Sequence, residues 1–94
     1  MNLKYTIKII NIIFEYKLNN TEIIIFLNAL VLSQSANEFS FDRHRLRFKT
    51  NKTRQHISKS ILSLEKKGLI EQIGRHENKI QHKFCEEVYL CLIY

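Results

Sequence analysis

The chain has 94 residues, 45% of them hydrophobic, with no proline and two glycines, a make-up that suits one helical domain with short turns and leaves little for linkers or a second domain. Fifteen Lys and Arg against nine Asp and Glu give a net +6. Residues 42–67 alone hold nine basic and two acidic side chains, a net +7, so the remainder sums to −1. A basic face confined to one segment is the footprint expected for a polyanion partner. The richest apolar run, Ile23 to Leu32, contains Asn28 and is half the ~20 residues of a membrane span. Lys8 and Asn11 break the early apolar stretch and no small-residue cleavage site follows, so no secretory signal is read. Two unpaired thiols, Cys85 and Cys91, fit a reducing compartment. A soluble, cytoplasmic protein is expected.

In chain order, Leu3–Tyr16 comes first. Ile7, Ile10 and Phe14 fall at helical spacing, so a helix is expected, although the β-branched isoleucines would also suit a strand. Leu18-Asn19-Asn20-Thr21-Glu22-Ile23 reads as a helix start, with Asn19 as cap and Glu22 reaching back three positions. The helix runs to about Ser33 and is apolar on every face, so it calls for burial on all sides, more than its own small domain is expected to supply. Ser33–Glu38 is a polar loop, and Phe39-Ser40-Phe41 alternates like a very short strand. Asp42 caps a short basic helix to about Lys49, Thr50-Asn51-Lys52 is the turn, and Thr53 caps the next helix. Ile57, Ile61 and Leu64 form that helix's inner stripe, and Gly68 ends it in a left-handed conformation with Leu69 closing back on Leu64. Leu69–Ile73 reads as a strand ending at Gly74. Glu87–Tyr94 reads as its partner, with Val88, Leu90 and Leu92 facing one way and residues 75–83 as a polar tip. Cys85 and Cys91, if both lie in one strand, stand about 20 Å apart and cannot bridge.

The order helix, short strand, short helix, tight turn, longer helix, hairpin is that of a winged helix-turn-helix, and residues match more finely. Thr53-Arg54-Gln55-His56-Ile57-Ser58-Lys59-Ser60-Ile61-Leu62-Ser63-Leu64-Glu65-Lys66-Lys67-Gly68-Leu69-Ile70 resembles the recognition helix and first wing strand of MarR-type regulators. It is equally similar to the winged-helix modules of plasmid and phage replication initiators, and Leu18–Glu22 looks like the start of helix one in the same families. The fold class implied is α+β, mostly helical. One domain is expected over residues 1–94: a packing and dimerisation segment (1–17), a helical core (18–67) with recognition helix 53–67, and a hairpin wing (69–94). In the basic second helix, Phe48 is expected to supply the packing that two smaller apolar residues normally share.

What the resemblance implies is double-stranded DNA binding by a small transcriptional regulator or replication-control protein of a mobile element. With Ile57, Ile61 and Leu64 inward, Arg54, Gln55, Ser58 and Lys59 project outward to read base edges. Arg43, Arg45, Lys49, Lys52, Thr53 and His56 would hold the backbone. Arg75, His76 and Lys79 on the wing would reach the adjacent minor groove or its phosphates. A homodimer is expected, built on the N-terminal segment and the apolar helix. The competing reading is a winged-helix module that docks on another protein, such as an acidic surface. An RNA binder would need exposed aromatics among its basic residues, and Tyr5, Tyr16, Tyr89 and Tyr94 lie elsewhere. The spacing of His76, His82, Cys85 and Cys91 fits no compact zinc pattern, so no metal is expected. No phosphate-cradling glycine loop or nucleophile–base spacing is present, so neither an enzyme nor a cofactor is read.

Overall fold

Local capping chemistry sets most of the helix boundaries. In the computed structural model, which describes residues 3–34, 36–77 and 79–93 and only the backbone of His76, the chain is α+β and mostly helical. Helix α1 spans Leu3–Glu15, α2 Asn20–Leu32, α3 Arg43–Thr50 and α4 Arg54–Lys66. Strands β1 (Ile70–His76) and β2 (Lys79–Phe84) form an antiparallel hairpin, and α5 (Glu86–Ile93) follows.

Asn19 Oδ1 accepts from the Glu22 amide at 2.9 Å while Glu22 Oε1 accepts from the Asn19 amide at 3.0 Å, a reciprocal cap. Asp42 and Thr53 cap α3 and α4 in the same sense, accepting from the amides of Arg45 (3.2 Å) and His56 (3.1 Å). At the far end of α4, Gly68 adopts φ 82°. Its amide donates to Glu65 and that of Leu69 donates to Leu64, each at 3.1 Å, with the Leu64 and Leu69 side chains fully buried against the core. Lys17, at φ 54°, closes α1 in the same geometry without glycine's freedom.

The core gathers Ile25, Phe26 and Ala29 of α2, Leu46 of α3, the Ile57–Ile61–Leu64 stripe of α4, and Phe84. Phe26 meets Phe84 edge-on at 6.0 Å, and Phe39 lies 5.3 Å from both Phe41 and Phe84. Phe39 exchanges two backbone hydrogen bonds with His82 (2.9 and 2.8 Å), so it flanks the free edge of β2 as a single bridge rather than a strand. Ser40 Oγ donates to the Ile80 carbonyl, and the Asn37 amide group pairs with the backbone of Phe84, tying the same segment to β2.

Three expectations are corrected. Residues 87–94 are not the second strand: β2 is Lys79–Phe84, and the described part of 87–94 is helical, with Val88 and Leu92 buried one turn apart. Tyr94 lies outside the described residues. A run of eight apolar-rich residues satisfies both periods, and packing decided for the helix. Cys85 and Cys91 therefore do not share a strand; Cys91 is exposed on α5, and Cys85 precedes it. Burial, reinforced by the Glu71 charge, pushes the Cys85 thiol up, away from the reactive thiolate. Strand β1 does not stop at Gly74. It pairs Ile70 with Phe84 and Gln72 with His82, steps past Ile73 in a bulge, and then sets Gly74 against Gln81 and Arg75 against Ile80. As expected, its own domain does not cover α2 on all sides: Leu27, Val31 and Leu32 remain exposed. In α1 the buried residues are Ile9 and Ile12, while Ile7, Ile10 and Phe14, whose spacing signalled the helix, form an outer stripe with Leu3.

Candidate nucleic-acid interface

The basic segment folds into two helices joined by a tight turn. Thr50 Oγ1 donates to the Leu46 carbonyl at 2.7 Å, the Asn51 amide donates to Arg47, and Asn51 turns the chain at φ 55°, a conformation Asn tolerates better than most side chains. Thr53 then restarts the helix. With Ile57, Ser60, Ile61 and Leu64 buried, Arg54, Gln55, Ser58 and Lys59 all stand exposed on the outer face of α4, with His56 beside them. The four expected readers thus share one surface.

Helical geometry sorts the basic residues of α3. At about 100° per residue, Leu46 points inward, Arg43 and Arg47 fall on one flank, and Arg45 and Lys49 fall on the other. The Arg43–Arg47 flank faces a groove of about 540 Å³ whose wall also includes Arg54 from α4 and Arg75 and Lys79 from the hairpin. Arg45 and Lys49 do not line it. A second groove, of about 480 Å³, adjoins through His44 and Arg47 and is bounded by Phe48, Asn51, Lys52 and Thr53. Arg47 therefore sits on the ridge between the two. Sequence reasoning omitted it, although its i, i+4 relation to Arg43 was available. The His76 side chain lies outside the described residues.

Arg43 Nη1 donates to Ser58 Oγ at 3.0 Å. A candidate backbone contact is thereby joined to a candidate base reader, and the guanidinium is fixed over α4. Phe48 is the clearest departure from expectation. It is 89% exposed and packs on nothing in the core, because it lies opposite Leu46 on α3. Leu46 alone carries the inward face of that helix.

Two polar contacts behind this surface hold the helices in register. Glu22, on α2 and 1% exposed, takes hydrogen bonds from Lys67 Nζ (2.7 Å) and Ser63 Oγ (2.8 Å) as well as from the Asn19 amide. Burial pushes its carboxyl up, but the Asn19 amide and the Lys67 and Ser63 donors outweigh this and hold it below its ordinary value. Lys67 also donates to the Lys17 carbonyl. On the other side, buried His82 pairs its Nε2 with Glu65 at 2.6 Å, linking the hairpin to α4, while its Nδ1 has no partner among the described residues. No group of three or more potential metal ligands occurs among the described residues, and no helix there is long and apolar enough to cross a membrane. Comparison with protein-family models, with curated proteins and with solved structures returned no match.

Proposed function

We propose that the chain is a winged helix-turn-helix protein that binds double-stranded DNA with sequence preference, in the role of a small regulator or replication-control protein. The observation that carries this reading is the continuity of one surface. The exposed polar face at the start of α4 (Arg54, Gln55, Ser58, Lys59) runs into a groove whose five cations come from both helices and the hairpin. In this reading α4 enters the major groove, Arg43 and Arg47 hold the adjoining phosphates, and Arg75 and Lys79 meet the flanking backbone. Titration of the purified protein with duplex DNA at rising salt tests it. Affinity should fall steeply, with a log–log slope near −0.9 per phosphate neutralised. Affinity undetectable at ~50 mM salt, or flat to ~200 mM, would overturn it. One observation favours the second reading, docking on an acidic protein: Phe48, exposed among Arg47, Lys49 and Lys52, has the form of an anchor residue at a protein interface.

A further inference from the structure

We propose that the groove between α3, the start of α4 and the hairpin binds a free nucleotide of the nucleoside diphosphate class. This inference does not rest on the DNA reading. Its first support is concavity: about 540 Å³ lies within the range of small-molecule sites, whereas a duplex phosphate needs only a surface contact.

The rim supplies the charge. Arg43, Arg47, Arg54, Arg75 and Lys79 converge on the groove, and its one carboxylate, Asp42, is engaged in capping α3. Like charges gathered along a concave wall repel one another and focus a positive potential, which a compact polyanion relieves. Arg43 is already oriented by Ser58, and its remaining donors are available for a phosphate.

The inner wall has a different character. Phe41, Ile80 and His82 form it, with the Phe41 and His82 rings 5.5 Å apart. His82 is 1% exposed, its Nε2 lies 2.6 Å from Glu65 Oε1, and its buried Nδ1 has no partner among the described residues. Buried ring nitrogens are rarely left so. An aromatic and apolar wall under a rim of cations is complementary to a planar base carrying a diphosphate. Inorganic phosphate would satisfy only the rim.

Calorimetric titration of the full chain with ADP, GDP, CDP and UDP, alongside inorganic pyrophosphate and adenosine, tests the proposal. At least one diphosphate should bind one-to-one with Kd below about 1 mM and at least about tenfold more tightly than pyrophosphate or adenosine. Replacing the exposed rim residues together (Arg47→Ala with Arg75→Ala) should weaken that nucleotide at least about tenfold. Phe41→Leu should weaken the nucleotide and leave pyrophosphate unchanged. Absence of binding by all four nucleotides, equal binding of nucleotide and pyrophosphate, or indifference to the rim substitutions overturns it. Duplex binding without nucleotide binding would defeat this proposal alone, and the converse would defeat only the DNA reading.

Discussion

Glu22 does two things that the sequence presents as one. As the third residue after Asn19 it was legible as half of a capping box, because that chemistry is local. Its second role, receiving Lys67 and Ser63 from 45 and 41 residues away, depends on how α2 crosses α4 and leaves no local signature. Glu22→Gln keeps the shape and removes the ion pair, so it should cost about 2–3 kcal/mol at neutral pH, read from urea midpoints. The pH dependence follows from the depressed carboxyl. Its stabilisation is complete above the ordinary value of 4.5 and is lost as pH falls through the lower folded value. The gap between wild type and variant should therefore shrink towards pH 3, and a gap unchanged by acid would refute the assignment.

Among the elements, the caps at Asn19, Asp42 and Thr53 and the glycine stop after α4 were all readable, since each is settled within about five residues. Strand β2 was not. Its inward residues include His82, whose buried ring pairs with Glu65 through Nε2, so Lys79–Phe84 looks polar enough to be a loop tip. The apolar run after it then invited the strand assignment that α5 holds. The site was legible to a similar depth: the outer face of α4 followed from its inner stripe, while the division of α3 into two flanks needed the position of the hairpin. That division makes a prediction. Arg47→Ala should weaken all duplexes several-fold and lower the salt slope by roughly one, whereas Lys49→Ala, on the far flank, should change both little. Equal effects in electrophoretic mobility titrations would show that α3 does not present one flank to the duplex.

On the scale of the whole molecule, the outer stripe of α1 is the least explained surface if the protein is a monomer. Leu3, Ile7, Ile10 and Phe14 are 73, 48, 45 and 75% exposed and repeat at the four–three–four spacing of a helix–helix seam. We expect two copies to pair along it. Ile7→Glu combined with Ile10→Glu leaves buried Ile9 and Ile12 untouched, so the fold should survive while assembly does not. Light scattering at tens of micromolar should give twice 11.3 kDa for the native chain and 11.3 kDa for the variant. A native chain already at the lower mass excludes the pairing.

The bulge at Ile73 has a consequence for what lengths of β1 the molecule can accept. Side chains on a strand alternate, so by simple count Arg75 would share a face with Ile73 and Glu71 and turn away from Ile80 and His82. The extra residue reverses that parity beyond position 73 and delivers Arg75 to the groove. The position of the wing's charge therefore depends on the bulge taking up the extra residue. Deleting Ile73 should let the two strands pair without interruption and leave Arg75 opposite Ile80, so duplex affinity should hold while Arg75→Ala lowers it. In this hairpin the bulge absorbs one residue of length without moving the side chains beyond it.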